Sequence, residues 1–126
     1  MHIHHLAVWV QDLEKMKSFY EKYFNCRAGS KYHNPVKGFS SYFLSFESGA
    51  KIELMFRNDI LHTEKTASFG LTHFAISVGS KELVNKLTNQ LEQDGYTIKG
   101  HPRTTGDGYY ESVIIDPEGN SVEITV

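Results

Sequence analysis

Residues 3–10 (IHHLAVWV) form a β-branched, apolar run interrupted by histidines, and this predicts a β-strand. Asp12 then offers an N-cap. Leu13, Met16, Phe19, Tyr20, Tyr23 and Phe24 recur at helical spacing, so 13–24 reads as an amphipathic helix that Asn25 ends. A weaker strand is expected over 27–32, followed by turn chemistry at Asn34-Pro35-Val36-Lys37-Gly38. Residues 40–46 and 51–56 (KIELMF) read as a hairpin turned at Ser48-Gly49, and 57–70 as a polar connection. The pattern then starts again. Residues 71–78 (LTHFAISV) predict a strand and Ser80 an N-cap. Leu83, Val84, Leu87 and Leu91 mark a second amphipathic helix closed by Gly95. A short strand at 96–99, a loop at 100–108, and strands at 110–115 and 121–126 (SVEITV) about the turn Asp116-Pro117-Glu118-Gly119-Asn120 complete it.

The order strand–helix–strand–strand–strand thus occurs twice, over about 1–62 and 69–126. The halves also register residue by residue. HHLAVWV aligns with THFAISV, placing His5 opposite His73 at an offset of 68; AKIELMF aligns with NSVEITV, placing Glu53 opposite Glu123 at an offset of 70. Two nearly equal offsets are what an internal duplication with a small insertion produces. The reading is one α+β domain of two βαβββ modules spanning 1–126.

Strand alternation decides which way these residues face. Leu6, Val8 and Val10 share a face, as do Ile52, Leu54 and Phe56, Phe74, Ile76 and Val78, and Val122, Ile124 and Val126. These apolar faces suit the two helices. His4 falls on that helix-facing side, as a partly buried polar residue. His5, Glu53, His73 and Glu123 fall on the other face, with Trp9 and Met55 beside them. Two imidazoles and two carboxylates make a coherent donor set for a divalent cation, with positions left for water or substrate. A single strand His or Glu is ordinarily just wet; the recurrence of both types at matching positions carries the signal.

Composition narrows the partners. The chain has 126 residues, 40% of them hydrophobic, with thirteen Lys+Arg against fifteen Asp+Glu for a net charge of −2. That balance offers no footprint for nucleic acid or an anionic membrane. The one cysteine, Cys26, excludes an intramolecular disulfide and reads as a small hydrophobe. There is no apolar run of membrane-span length and no signal-peptide pattern, so a cytoplasmic location is expected. His2, His33, His62 and His101 read as surface residues.

The stretches HHLAVWVQDLEKMKSFYEKYF, KIELMF, LTHFAISV and above all GDGYYESVIIDPEGNSVEI resemble the vicinal oxygen chelate superfamily, the glyoxalase/bleomycin resistance/dioxygenase family, over essentially the whole chain. The resemblance implies a cupped mixed sheet with helices on its outer face, built around a divalent metal. It makes His5, Glu53, His73 and Glu123 the ligands. A full His/Glu/His/Glu set points to the glyoxalase I branch and to a homodimer acting on a small molecule. Zn²⁺, Ni²⁺, Co²⁺ or Mn²⁺ is the implied metal. The implied reaction is isomerisation of a hemithioacetal or related 2-hydroxy-carbonyl compound through an enediolate, with Glu123 as base, or else Glu53, and glutathione or another thiol as co-substrate. A thiol transferase, an epimerase, or a metal-free small-molecule-binding protein are the alternatives on the same fold. Trp9 stands where glutathione-using members often carry Arg, which leaves the thiol open. Trp9 and Met55 are candidates for an apolar substrate wall, Arg57 and Arg103 for a substrate carboxylate. Tyr110, with Tyr109 and Glu111, is read either as lining the cleft or as strand packing.

Overall fold

A computed structural model of the chain describes residues 1–61 and 69–126. The chain divides into two compact units, Met1–Thr63 and Glu64–Val126. In the first, β1 (His5–Trp9) leads into α1 (Leu13–Phe24), then β2 (Arg27–Ala28), β3 (Tyr32–Asn34), β4 (Phe39–Ser45) and β5 (Lys51–Arg57). The sheet runs β1-β5-β4-β2, with β3 also paired to β4. β1 and β5 are parallel, and the remaining pairs antiparallel. The second unit has β6 (Phe74–Ser77), α2 (Lys81–Gln93), β7 (Ile98–Thr104), β8 (Tyr110–Ile115) and β9 (Ser121–Thr125) in the order β6-β9-β8-β7. Again the first and last strands are parallel. The α+β reading and the twofold strand–helix–strand pattern therefore hold. His62, and the 62–68 part of the expected polar connection, lie outside the described residues.

Helix ends fall where the sequence puts them. Asp12 accepts hydrogen bonds from the Glu14 and Lys15 amides, and Asn25 closes α1 in the left-handed conformation at φ 50°. All six apolar positions expected on α1 are buried. Ser80 caps α2 through the Leu83 amide, and Gly95 follows its end at φ 88°. The apolar stripe of α2 differs from expectation. Leu83 is 47% exposed, and Thr88 is buried in the stripe with Val84 and Leu91. The Thr88 hydroxyl donates to the Val84 carbonyl and lies 2.6 Å from the Ser112 hydroxyl on β8, so its polarity is met inside the fold.

Four strands differ from their expected bounds. The expected 27–32 strand splits into β2 and β3 along one edge of β4, and Asn34 belongs to β3 rather than to the turn. The first strand begins at His5 and the one after the midpoint at Phe74, later than the apolar runs suggest. β7 extends through Thr104, although 100–108 reads as a loop. It is an edge strand whose register shifts on either side of Gly100, and an edge tolerates Gly100 and Pro102 where a central strand would not.

The register that matters for function is set by turns. Asp116 is 3% exposed; its carboxylate accepts from the Glu118 and Asn120 amides and from the Asn120 side chain, and Gly119 takes φ 85°. The DPEGN segment is thus a rigid hairpin turn that fixes β8 against β9. Beneath these sheets, α1 packs on β4, β5 and β2, and α2 on β8, β7 and β9. Leu44, Leu54, Ile114, Val122 and Ile124 are wholly buried there, each contributing roughly 1.5–3 kcal/mol of burial.

Candidate functional site

In the first unit, β1 and β5 run parallel with Ala7 opposite Glu53. His5, two residues earlier, therefore projects from the same face as Glu53, away from α1. Its Nε2 lies 3.7 Å from Glu53 Oε2, with the imidazole 37% and the carboxylate 15% exposed. The second unit repeats this frame. Ala75 is opposite Glu123, and His73, just ahead of β6, sits two residues before Ala75. His73 Nε2 lies 3.2 Å from Glu123 Oε2, with the side chains 43% and 16% exposed. A ladder bond echoes the repeat: Val10 N–H donates to the Met55 carbonyl, and Val78 N–H to the Thr125 carbonyl, both at 2.8 Å. These pairs carry the same offsets of 68 and 70.

The spacing suits a cation. Two ligands bonded at about 2.1 Å to one tetrahedral or octahedral metal stand roughly 3–3.5 Å apart. The His73–Glu123 pair already has that separation, and the His5–Glu53 pair needs a movement of a few tenths of an ångström. Imidazole nitrogen with carboxylate oxygen suits Zn²⁺, Ni²⁺, Co²⁺ and Mn²⁺. Among the described residues, no group of three or more His, Cys, Asp or Glu side chains is placed to hold a metal. What each unit presents is a pair.

The surroundings of the two pairs differ. In the first unit Phe43 is the cross-strand partner of Glu53, and its ring meets His5 edge-on at 5.3 Å. Trp9 and Met55 pair one rung further on, as alternation predicts. Trp9 is 42% exposed, packs against Phe39, and has the Arg57 guanidinium over its ring at 5.3 Å; Arg57 also pairs with Asp59. In the second unit Val113 stands opposite Glu123, and Glu111 opposite Thr125. Arg103, on β7, lies 3.5 Å from Glu111. The Glu123 carboxyl is held above the usual carboxylate range. Burial contributes most, then the Glu111 charge, with His73 opposing; a hydrogen bond that protonated Glu123 donates to Glu111 raises it further and Arg103 opposes.

Two residues land elsewhere than expected. Tyr110 lies on the helix-facing side of β8: its hydroxyl donates to Asn85, and Lys81 sits over its ring at 5.0 Å. Alternation gives the Glu123 face to Glu111 and Val113 instead, so of the two readings of Tyr110 the structure supports strand packing. His4 is exposed rather than partly buried, because the strand starts only at His5. Its Nδ1 lies 2.9 Å from His5 Nδ1. Sequence reasoning passed over Phe43 and Phe39 as site neighbours, and left Glu111 open between cleft lining and strand packing. Pairing 110–115 with 121–126 through the DPEGN turn would have brought Glu111 to the face of Glu123. Cys26 is buried, and burial pushes its thiol up to about 11, consistent with an inert side chain.

The model of the glyoxalase/bleomycin resistance protein/dioxygenase superfamily matches residues 2–124. The chain belongs to that superfamily. Among relatives, the uncharacterised protein YqjT of Bacillus subtilis (strain 168) is 26% identical over 126 residues, covering 97% of this chain and 96% of its own. Among solved structures, a glyoxalase/bleomycin resistance protein/dioxygenase domain from Frankia sp. EAN1pec superposes with a TM-score of 0.84 at 16% identity, covering 100% of this chain and 97% of that one. The trypanothione-dependent glyoxalase I of Leishmania major gives 0.78 at 20% identity, over 99% and 86%. Glyoxalase I from Zea mays gives 0.78 at 24% identity over 98% of this chain, which spans only 44% of the maize chain. At these identities the structures establish a shared glyoxalase-like fold. No helix among the described residues is long and apolar enough to cross a membrane.

Proposed function

We propose that this superfamily member is a divalent-metal-dependent lyase or isomerase of the glyoxalase I type, acting on a hemithioacetal or related 2-hydroxy-carbonyl substrate. His5, Glu53, His73 and Glu123 are the proposed ligands of one cation: Zn²⁺, Ni²⁺, Co²⁺ or Mn²⁺. The supporting observation is the same His/Glu pair, in the same parallel register, in both units. Each pair supplies two donors where a protein site needs three or four, so both kinds of pair are required. A homodimer in the cytoplasm, acting on a small molecule, is part of the proposal.

A bound cation would stabilise the negative charge that develops on the substrate oxygens when a C–H proton leaves. The protein's own groups do the rest. Glu123 is the proposed base: its carboxyl, raised by burial and by Glu111, holds a proton more readily than an ordinary glutamate. Glu53 is the second candidate, and otherwise remains a ligand. Trp9 and Met55 form an apolar wall beside the first pair. Arg57 and Arg103 offer cations for a substrate carboxylate, although each already has an acidic neighbour. The thiol stays open: the maize and Leishmania relatives are both glyoxalase I enzymes, and the latter is named for trypanothione.

Elemental analysis of the purified protein, then assay of glutathione and other thiol hemithioacetals with each metal re-added, tests the proposal. The expected result is one divalent ion per ligand set and metal-restored turnover. Retention of full metal content by both His5→Ala and His73→Ala would overturn the ligand assignment. A metal-free protein that binds ligands without turning them over would support the sequestering alternative.

A further inference from the structure

We propose that His4 is a positioning residue that fixes the tautomer of His5 and aims its Nε2 toward Glu53. The inference rests on the reading of His5 as a ligand and deepens it. The two Nδ1 atoms are 2.9 Å apart, with ring centroids at 5.2 Å and planes at 84°. Two neutral imidazole nitrogens at that distance must be one donor and one acceptor. His5 Nε2 is the atom nearest the Glu53 carboxylate, and to bind a cation it must carry a lone pair. The proton of His5 therefore sits on Nδ1, and His4 Nδ1 is its acceptor. A ligating imidazole characteristically donates its second N–H to such a partner, which fixes the ring and raises its basicity. Here the usual carboxylate or carbonyl is replaced by the adjacent residue.

The rest of the geometry supports this role. The His4 carbonyl accepts from the Lys51 amide at 3.0 Å, which anchors the backbone immediately before the ligand. Phe43 meets the His5 ring edge-on, so the imidazole is contacted by one aromatic neighbour just ahead of its own strand and another from β4. Thr72 occupies the place of His4 in the second unit, where a short hydroxyl replaces the imidazole. His4 is exposed, so its replacement removes no core packing.

The test is long-range proton–nitrogen NMR on the full chain with labelled histidine, near pH 8 where imidazoles are mainly neutral, without metal and with Zn²⁺. The expected spectrum shows His5 protonated on Nδ1 and His4 on Nε2, in both states. His4→Ala should scramble the His5 tautomer and weaken Zn²⁺ binding by about ten- to a hundredfold. His4→Asn, whose amide oxygen can take the acceptor position, should restore most of both. Circular dichroism of each variant should match the parent. Finding His5 protonated on Nε2, or an unchanged tautomer and Zn²⁺ affinity in His4→Ala, overturns the inference. So does loss of Zn²⁺ as complete as in His5→Ala with no rescue by His4→Asn, which would make His4 a ligand. If the parent chain binds no Zn²⁺, the metal reading fails, and the metal-free spectrum alone decides the role of His4.

Discussion

The two units carry one backbone frame and two different chemical settings. In each, a histidine two residues ahead of an alanine meets a glutamate opposite that alanine on the parallel strand. One rung beyond, the first unit lines up Trp9, Met55 and Ser41, whereas the second lines up Ser77, Thr125 and Glu111. Beside the carboxylates stand Phe43 in one and Val113 in the other. The cores diverge in the same sense. At the offsets of 68 and 70, Tyr20 and Tyr42 correspond to Thr88 and Ser112, and all four are buried. Duplication accounts for the paired donors; divergence accounts for an apolar wall around one pair and an acid–cation group around the other. Matching His/Glu pairs therefore need not have identical roles.

The largest expected effect breaks that symmetry directly. Glu123→Gln should lower turnover by about 10²–10⁴-fold, the usual range for losing a general base, while retaining most of the metal. Glu53→Gln should act mainly through weakened metal binding, so its turnover recovers as metal is added in excess. Steady-state rates measured alongside metal content distinguish the two. If Glu53→Gln suffers the greater loss at saturating metal, the roles are reversed.

Stability should be more even-handed where the frame is shared. Leu54 and Ile124 are wholly buried one residue past each glutamate, so Leu54→Ala and Ile124→Ala should each cost about 2–5 kcal/mol in urea unfolding. The divergent core gives a smaller effect confined to the second unit. Thr88→Val removes a buried hydroxyl that bonds Ser112 and should cost about 1–3 kcal/mol. Adding Ser112→Ala should recover much of it, because neither hydroxyl is then left without its partner. A double variant as unstable as the sum of the singles would mean that the pair matters for shape rather than for hydrogen bonding.

The frame was far more legible than its surroundings. Caps at Asp12 and Ser80, the α1 stripe and the faces of His5, Trp9, Glu53 and Glu123 all follow from period and alternation, which depend only on local geometry. Thr88 escaped because a hydroxyl in an apolar stripe reads as exposed until its partner, twenty-four residues on, is known. β7 escaped because Gly100 and Pro102 weaken a strand pattern, and only an edge position excuses them. Tyr110 and Glu111 are neighbours on opposite faces, and only the pairing with β9 shows which one joins Glu123. The two His/Glu pairs were visible in the sequence, whereas most of what surrounds them comes from cross-strand partners.

The smallest expected effect tests what those surroundings do. In the fold, burial and Glu111 hold the Glu123 carboxyl above its ordinary value, with His73 and Arg103 opposing only in part. The unfolded chain titrates Glu123 at about 4.3. Between that value and the raised one, the folded state binds more protons, so stability falls with rising pH. The contribution is fully present below the unfolded value and is lost as pH passes through the folded one. With metal chelated, the parent should therefore lose urea stability relative to Glu123→Gln across this window. Glu111→Gln should shrink the loss, since it removes the charge that disfavours the carboxylate and offers an amide N–H that can donate to it. Equal pH slopes in the parent and Glu123→Gln would mean that the carboxylate of the second unit is no different from an exposed glutamate, and the case for it as the base would rest on position alone.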